Sequence, residues 1–312
     1  MVRYIGQRIS IAVVTVFLIL LLLFLMLELM PGTPFNDERL TDQQRDVIME
    51  KYGLDRPILE RFFKYMQLML KGDFGISYTL NKNMPVSFML GQRVGVTMSL
   101  GLQAVLLGLA IGMVLGIISA LKHGTWLDSA MSMIAVAGVS VPSYVFALFS
   151  LYVFAFLLRW FPIRYNPSAP GLSGVLPVIS LSMFTIATVA RFLRSEMLEV
   201  LGSEYILLSR AKGLRESAVI SRHGIRNSLI PVVTVVGPLV VNLMTGSLVV
   251  EKIFAIPGLG GLFVQAITVN DYNVVIAISF IYSVMFVLVM LAVDILYSVI
   301  DPRIRLSKGG PA

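Results

Sequence analysis

Side chains able to do covalent chemistry are scarce in this sequence. It has two histidines, His123 and His223, and no cysteine. Neither histidine belongs to an H-E-x-x-H pair, and both stand in polar stretches between apolar runs. A protease working inside a bilayer needs a metal site or an activated nucleophile. The serines of the apolar runs have no base beside them, so the residues argue against hydrolysis. Nucleotide chemistry is set aside as well, because no G-x-x-x-x-G-K-[ST] phosphate loop occurs. The glycine-rich Pro257-Gly258-Leu259-Gly260-Gly261 has no strand pattern ahead of it and no basic residue after it, and reads as a tight re-entrant turn. Glu28 and Asp294 lie near the ends of apolar runs whose middles are uncharged, which argues against an ion-coupled carrier. What remains is the chemistry of recognition. Between Ser195 and Asn227, charged residues (Glu196, Glu199, Glu204, Arg210, Lys212, Arg215, Glu216, Arg222, Arg226) alternate with Met197, Leu198, Leu201, Ile206, Leu207, Leu214, Val219, Ile220 and Ile225. Gly202 and Gly213 divide this stretch into shorter helices. It is either a solvated amphipathic connector or a docking element for a partner.

The elements that must carry this stretch are membrane spans. Of the 312 residues 57% are hydrophobic and 14% charged, with a mean hydropathy of +0.84, too apolar for a domain whose whole surface faces water. Six runs are of about the 20 residues needed to cross hydrocarbon: Ile9 to Leu27, Val94 to Leu121, Ser129 to Leu158, Gly171 to Ala190, Ser228 to Val250 and Tyr272 to Val293. The first is longer than the apolar core of a cleavable leader, and Glu28-Leu29-Met30-Pro31 is no small-residue cleavage site. The net charge of +7 is read by its placement along the spans, not as a nucleic-acid footprint. One side collects Arg3, Arg8, Lys122, Arg191, Arg194, Arg210, Lys212, Arg215, Arg222, Arg226, Arg303, Arg305 and Lys308. The short loops of the other side hold only Arg159, Arg164 and Lys252. By the positive-inside rule both termini are cytoplasmic, and the segment between the first two spans is external.

The reading divides the chain into 1–30 (amino terminus and first span), 31–93 (external segment), 94–300 (five spans, with the charged loop 195–227) and 301–312 (tail). Within the external segment, Thr41 and Gln44 form a capping box closed by Gly53. A second helix starts near Pro57, its apolar face formed by Ile58, Leu59, Phe62, Phe63, Met66, Met69 and Leu70. Gly108, Gly112 and Gly116 lie four apart on one face of span 2, where another backbone can approach closely. Pro142 removes a donor from the middle of span 3 and must kink or interrupt it.

At the charged loop the sequence resembles the permease subunits of binding-protein-dependent ABC importers, in the oligopeptide, dipeptide and nickel branch. The matching residues are Glu204-Tyr205, Arg210-Ala211-Lys212-Gly213-Leu214, His223, Arg226-Asn227 and Pro231. Gly72-Asp73-Phe74-Gly75-Ile76-Ser77, Val141-Pro142-Ser143-Tyr144, Arg191-Phe192-Leu193-Arg194, Val250-Glu251-Lys252-Ile253-Phe254, Pro257-Gly258-Leu259-Gly260 and Asp301-Pro302-Arg303-Ile304-Arg305 extend the likeness over the whole chain. The chain departs from the broader importer pattern at Leu207-Leu208-Ser209, at Arg215 and at Gly224.

The resemblance implies an all-α membrane protein of six spans with a coupling helix between spans 4 and 5, in the plasma membrane of a prokaryote. It implies that Glu204, Tyr205, Arg210, Ala211, Lys212, Gly213, Leu214, His223 and Arg226 meet an ATPase subunit. Gly108, Gly112, Gly116, Pro142, Pro257, Gly258 and Gly260 would serve packing or gating. Its partners would be a second, related permease, two P-loop ATPase subunits holding ATP and magnesium, and an external substrate-binding protein; Asn36 to Lys82 is either the docking surface for that protein or a structural outer cap. The chain itself would hold no cofactor and catalyse no covalent step. Peptides are the favoured substrate, oligopeptides before dipeptides. Nickel or glutathione import is the alternative within the branch, and a secondary carrier or channel the alternative outside it.

Overall fold

The computed structural model describes residues 2–29, 50, 55–244 and 248–300. Among these the chain is helices and turns, with one isolated antiparallel bridge between Ile76 and Pro85. Helix is what an apolar run must form in hydrocarbon, where no water can satisfy a backbone N–H or C=O. Five stretches are long and apolar enough to span: Arg8–Leu27, Val86–Leu121, Pro170–Leu201, Val235–Ile253 and Tyr272–Val293, with residues 245–247 of the fourth outside the described residues. A bent pair, Trp126–Ser140 with Ser143–Leu157, supplies the sixth. This is a multi-pass all-α membrane protein.

In chain order the elements are α1 (Val2–Leu29), α2 (Ile58–Leu70), α3 (Val86–Leu121), α4 (Trp126–Ser140), α5 (Ser143–Ser150, continued by a π turn Leu151–Leu157) and α6 (Pro170–Leu201). Then follow α7 (Glu204–Ala211), α8 (Glu216–Ala218, continued by a π turn Val219–Ile225), α9 (Arg226–Met244), α10 (Leu248–Ile253), α11 (Leu259–Thr268) and α12 (Tyr272–Ile300). Several span boundaries can be compared with the sequence reading. Of the two forms expected for span 3, kinked or interrupted at Pro142, it takes the second. Its halves meet at 102°, because Pro142 forces Val141 into an extended conformation (φ −85°, ψ 118°) and caps a new helix. Span 4 runs past Ala190 to Leu201, since Leu193 and Met197, four apart and fully buried, continue its packed face. Span 2 begins at Val86, inside the segment assigned to the connection.

The chain forms two compact units. The first comprises Met1–Thr97 and Pro257–Leu288. Its core gathers Leu20 and Phe24 of α1, Phe62 of α2, Leu262 of α11 and the buried run Val274 to Ile278 of α12. Phe62 stands edge-on to both Phe17 and Phe24, ring centroids 5.5 Å apart in each case. That uses one side of the apolar face read for α2, while Leu59, Phe63 and Leu70 stay exposed. The capping box Thr41–Gln44, the closing Gly53 and the tail 301–312 lie outside the described residues, as do the side chains of Glu28 and Asp294.

The second unit comprises Met98–Ile256 and Val289–Ala312. Val189, Leu193 and Met197 of α6 form its centre with Ala120 of α3 and Val232 and Leu239 of α9. Pro177 in α6 and Pro231 and Pro238 in α9 sit inside helices, which packed membrane helices tolerate because neighbours and local adjustments satisfy the freed carbonyls.

Candidate functional site

The charged loop folds as two short helices meeting at a glycine corner. α7 begins after Ser203 and ends at Lys212, followed by Gly213 at φ +77°. The Gly213 N–H donates to the Arg210 carbonyl (2.9 Å) and the Leu214 N–H to the Ser209 carbonyl (3.3 Å), the paired bonds of a Schellman close. Nothing lies within 4 Å of where a Cβ on Gly213 would be. The glycine is therefore required by its backbone conformation and not by crowding.

Across that corner Arg210 forks onto Glu216, Nη2 to Oε1 at 2.7 Å and Nε to Oε2 at 3.2 Å. The guanidinium holds the Glu216 carboxyl below its usual range, and the carboxylate in turn raises Arg210. Beneath the corner, Ile206 of α7 and Val219 of the π turn are fully buried. At the far end, Asn227 Nδ2 donates to the Tyr205 hydroxyl at 3.2 Å, tying α7 to the start of α9. The upper face is open: Glu204, Tyr205, Leu207, Leu208, Arg210, Ala211, Lys212, Gly213 and Leu214 are all exposed. Leu207 and Leu208 are 68% and 56% accessible, beside the cations Arg210, Lys212 and Arg215. Such a face, with exposed leucines among charged residues, suits a protein partner. Arg226 is exposed and His223 half-buried in or next to the π turn, an irregularity frequent at functional positions.

Elsewhere in this unit, Gly108, Gly112 and Gly116 of α3 lie against α6. A Cβ would fall 2.7 Å from the Thr185 side chain, 2.9 Å from the Ile186 carbonyl oxygen and 2.8 Å from the Ala190 carbonyl oxygen, respectively. Gly138 of α4 meets Ala187 of the same helix as closely, at 2.8 Å.

The first unit holds a different arrangement. The turn 77–80 wraps a fully buried carboxylate, Asp271, which accepts from Ser77 Oγ (2.5 Å) and the N–H groups of Tyr78 (3.2 Å), Thr79 (3.1 Å) and Leu80 (3.1 Å). Asn273 Nδ2 donates to the Ile76 carbonyl at 2.8 Å. The Tyr65 O–H faces the carbonyls of Phe74 and Asn273, 3.0 Å from each. Burial, with the neighbouring Tyr78, Asp271 and Asp73, pushes the Tyr65 phenol well above its ordinary range, so it remains a donor. Gly75, at φ +72°, packs where a Cβ would stand 3.0 Å from Asn273 Nδ2, which explains the glycine of Gly72-Asp73-Phe74-Gly75.

With this geometry in hand, residues 112–306 match the family model described as binding-protein-dependent transport system inner membrane component. The chain belongs to that family. The permease is 43% identical over 306 residues to the dipeptide transport system permease protein DppB of Lactococcus lactis subsp. cremoris, covering 98% of this chain and 100% of that one. It is 37% identical to the oligopeptide transport system permease protein OppB of Salmonella typhimurium, with the same coverage of each. Among solved structures, inward-facing MetNI methionine ABC transporter chains share its fold. In one, a TM-score of 0.55 at 18% identity spans 69% of this chain and 97% of the other.

The permease's glycine-rich Pro257 to Gly261 is not one turn. Gly258, extended, caps α11, and Gly260 lies buried inside that helix. Leu259, Leu262 and Ala266, nearly inaccessible around it, outweigh the roughly 1 kcal/mol that glycine costs a helix. The Leu259 N–H donates to Thr97 Oγ1 at 2.9 Å.

Two polar centres escaped the sequence reading. Asp271 is one. The other is Asp128, buried at the start of α4, where Arg194 of α6 reaches it through Nε (2.6 Å) and Nη2 (2.8 Å). Ser119 Oγ (2.6 Å), the Gly124 N–H (3.1 Å) and, at longer range, Ser132 Oγ (3.5 Å) also donate to it, and His123 Nδ1 lies 3.0 Å away. The available signal was an acid at one apolar boundary with arginines at another, a combination that membrane proteins bury only as a pair.

Proposed function

We propose that this chain is one permease half of an ATP-driven importer for peptides, and that the α7–α8 corner is where an ATPase subunit engages it. In this reading Glu204, Tyr205, Arg210, Ala211, Lys212, Gly213, Leu214, His223 and Arg226 form the contact. A second, related permease completes the path, two P-loop subunits bind ATP and magnesium, and an external protein delivers substrate. Closure of the ATPase pair pushes the corner, and the push moves α6 and α9, which flank it in the chain. Both termini lie in the cytoplasm, and the segment between α1 and α3 lies outside.

The observation that carries the reading is the exposed corner itself. It is a rigid bend closed by Gly213 and the Arg210–Glu216 fork, and it presents Leu207, Leu208 and Leu214 among cations. Peptide as substrate rests on the full-length likeness to permeases named for dipeptide and oligopeptide transport. The sequence pattern favours oligopeptides, and a length series decides. The test is to purify the chain with its companions in mild detergent, reconstitute them with the binding protein that accompanies them, and measure ATP-dependent uptake of labelled peptides of two to six residues. Uptake that needs ATP supports the reading. Transport by this chain alone without ATP would replace it with a carrier or channel.

A further inference from the structure

The first unit contains a cavity of about 440 Å3, within the size range of small-molecule sites. We propose that it is a binding site for a short peptide with free amino and carboxyl termini, a site on the permease chain itself. The proposal rests on the peptide-import reading above for its choice of zwitterion.

The floor is apolar and aromatic, formed by Leu27 of α1, Tyr65 and Leu68 of α2, Tyr78 of the turn, and Tyr272 and Ile276 of α12. Its walls are fixed before any ligand arrives. Tyr65 is held by two carbonyls, Asn273 holds Ile76, and Asp271 holds residues 77–80, so binding orders little that is not already ordered.

The charges around the cavity decide the ligand. Arg56 and Glu60 neutralise each other at 2.7 Å. The Arg61 guanidinium lies 5.7 Å from the Phe24 ring centroid, a cation–π approach. Two further charges, Lys64 of α2 and Asp73 of the connection between α2 and α3, line the same cavity. Asp73 Oδ1 accepts the Gly75 N–H at 2.9 Å. Neither Lys64 nor Asp73 has an ion-pair partner among the described residues, and they stand more than 4.0 Å from each other. A ligand carrying an ammonium and a carboxylate, joined by an apolar body, bridges such a pair: ammonium to Asp73, carboxylate to Lys64, side chain onto the tyrosines. An anionic ligand would meet Asp73 and Glu60 in the same cavity, and a purely apolar one would engage neither Lys64 nor Asp73.

The test uses the assembled complex in phosphatidylglycerol nanodiscs, without nucleotide or binding protein, and equilibrium dialysis of the labelled dipeptide Leu-Phe. Saturable binding is expected, at least tenfold weaker for the Nα-acetylated and for the C-amidated forms. Asp73→Asn should weaken the free dipeptide about tenfold and leave the acetylated form unchanged. Lys64→Met should do the same for the free dipeptide and leave the amidated form unchanged. This matching of cap to variant is a pattern that general misfolding does not produce. Absence of saturable binding, equal binding of capped and uncapped forms, or loss of binding when phosphatidylethanolamine is added would each overturn the site, the last by assigning the cavity to an aminophospholipid headgroup. ATP-dependent peptide uptake, followed in parallel with the binding protein present, separates the two readings. Uptake without dialysis binding sinks the cavity site alone, and absence of uptake sinks the import reading.

Discussion

Two turns of this molecule are held by opposite means. The turn 77–80 is organised from within by a fully buried carboxylate that takes four hydrogen bonds. The Gly213 corner is organised from outside, by backbone bonds and a solvent-exposed Arg210–Glu216 fork over a small buried base, Ile206 and Val219. Bonds to a buried charge are strong and leave large penalties when broken, whereas exposed pairs contribute little to stability. The first arrangement suits a scaffold that must not move. The second suits a surface whose side chains must stay available to a partner, with only its bend angle fixed.

If the first turn is a scaffold, removing its anchor must cost the fold. Asp271→Ala takes the acceptor away from the Ser77 hydroxyl and from three N–H groups of a largely buried turn. We expect a loss of about 4 kcal/mol or more, read as a large fall in the thermal transition in detergent and as new proteolysis near residues 77–80. Unchanged stability would show the turn to be self-supporting.

The Asp128–Arg194 pair tests whether the second unit also has a buried anchor away from its corner. Asp128→Ala strands the guanidinium, and breaking a buried pair costs about 3–5 kcal/mol. The expected result is reduced stability, most of it restored by the double variant Asp128→Ala/Arg194→Met, which removes the stranded charge. Failure of the double variant to recover would mean that Ser119 and Gly124 need the carboxylate as much as Arg194 does.

At the corner itself the expectation reverses. Gly213→Val forces a β-branched residue into the left-handed region, at a local cost of about 1–3 kcal/mol, with membrane insertion and the bulk of the fold retained. The measurable effect is functional: peptide uptake falls strongly while ATP hydrolysis by the assembled complex continues. Equal loss of insertion and uptake would make Gly213 a folding residue and erase the contrast between the turns.

The smallest effect concerns pH. Because the Glu216 carboxyl is depressed when folded, the fork's contribution is fully present above the ordinary carboxylate range and is lost as pH falls through the depressed value. Acidification should therefore loosen coupling, scored as uptake per ATP hydrolysed, in the parent chain. Glu216→Gln should show the loosened ratio already at neutral pH and no further change on acidification. A Glu216→Gln variant with the parent's pH profile would dismiss the fork.

Much of this architecture was legible before any coordinates. Uncharged runs of span length fix where helices cross, because hydrocarbon offers the backbone no other partner. Gly213 was legible for a related reason: a glycine between two amphipathic stretches marks the one backbone conformation that other residues resist. Pro142 announced a break in span 3 but not its 102° angle, which depends on what each half packs against. Gly260 misled, because glycine's local preference yields to the burial of its neighbours.

By itself, then, the sequence determined the spans, the two helix breaks of the charged loop and the scarcity of catalytic groups, all properties of short stretches judged against their solvent. Tertiary structure alone decided that Asp271 holds Ser77 across 194 positions and that Arg194 reaches Asp128 across 66. A lone charge records in the sequence that it must be paired. Only the packing of distant helices determines with what.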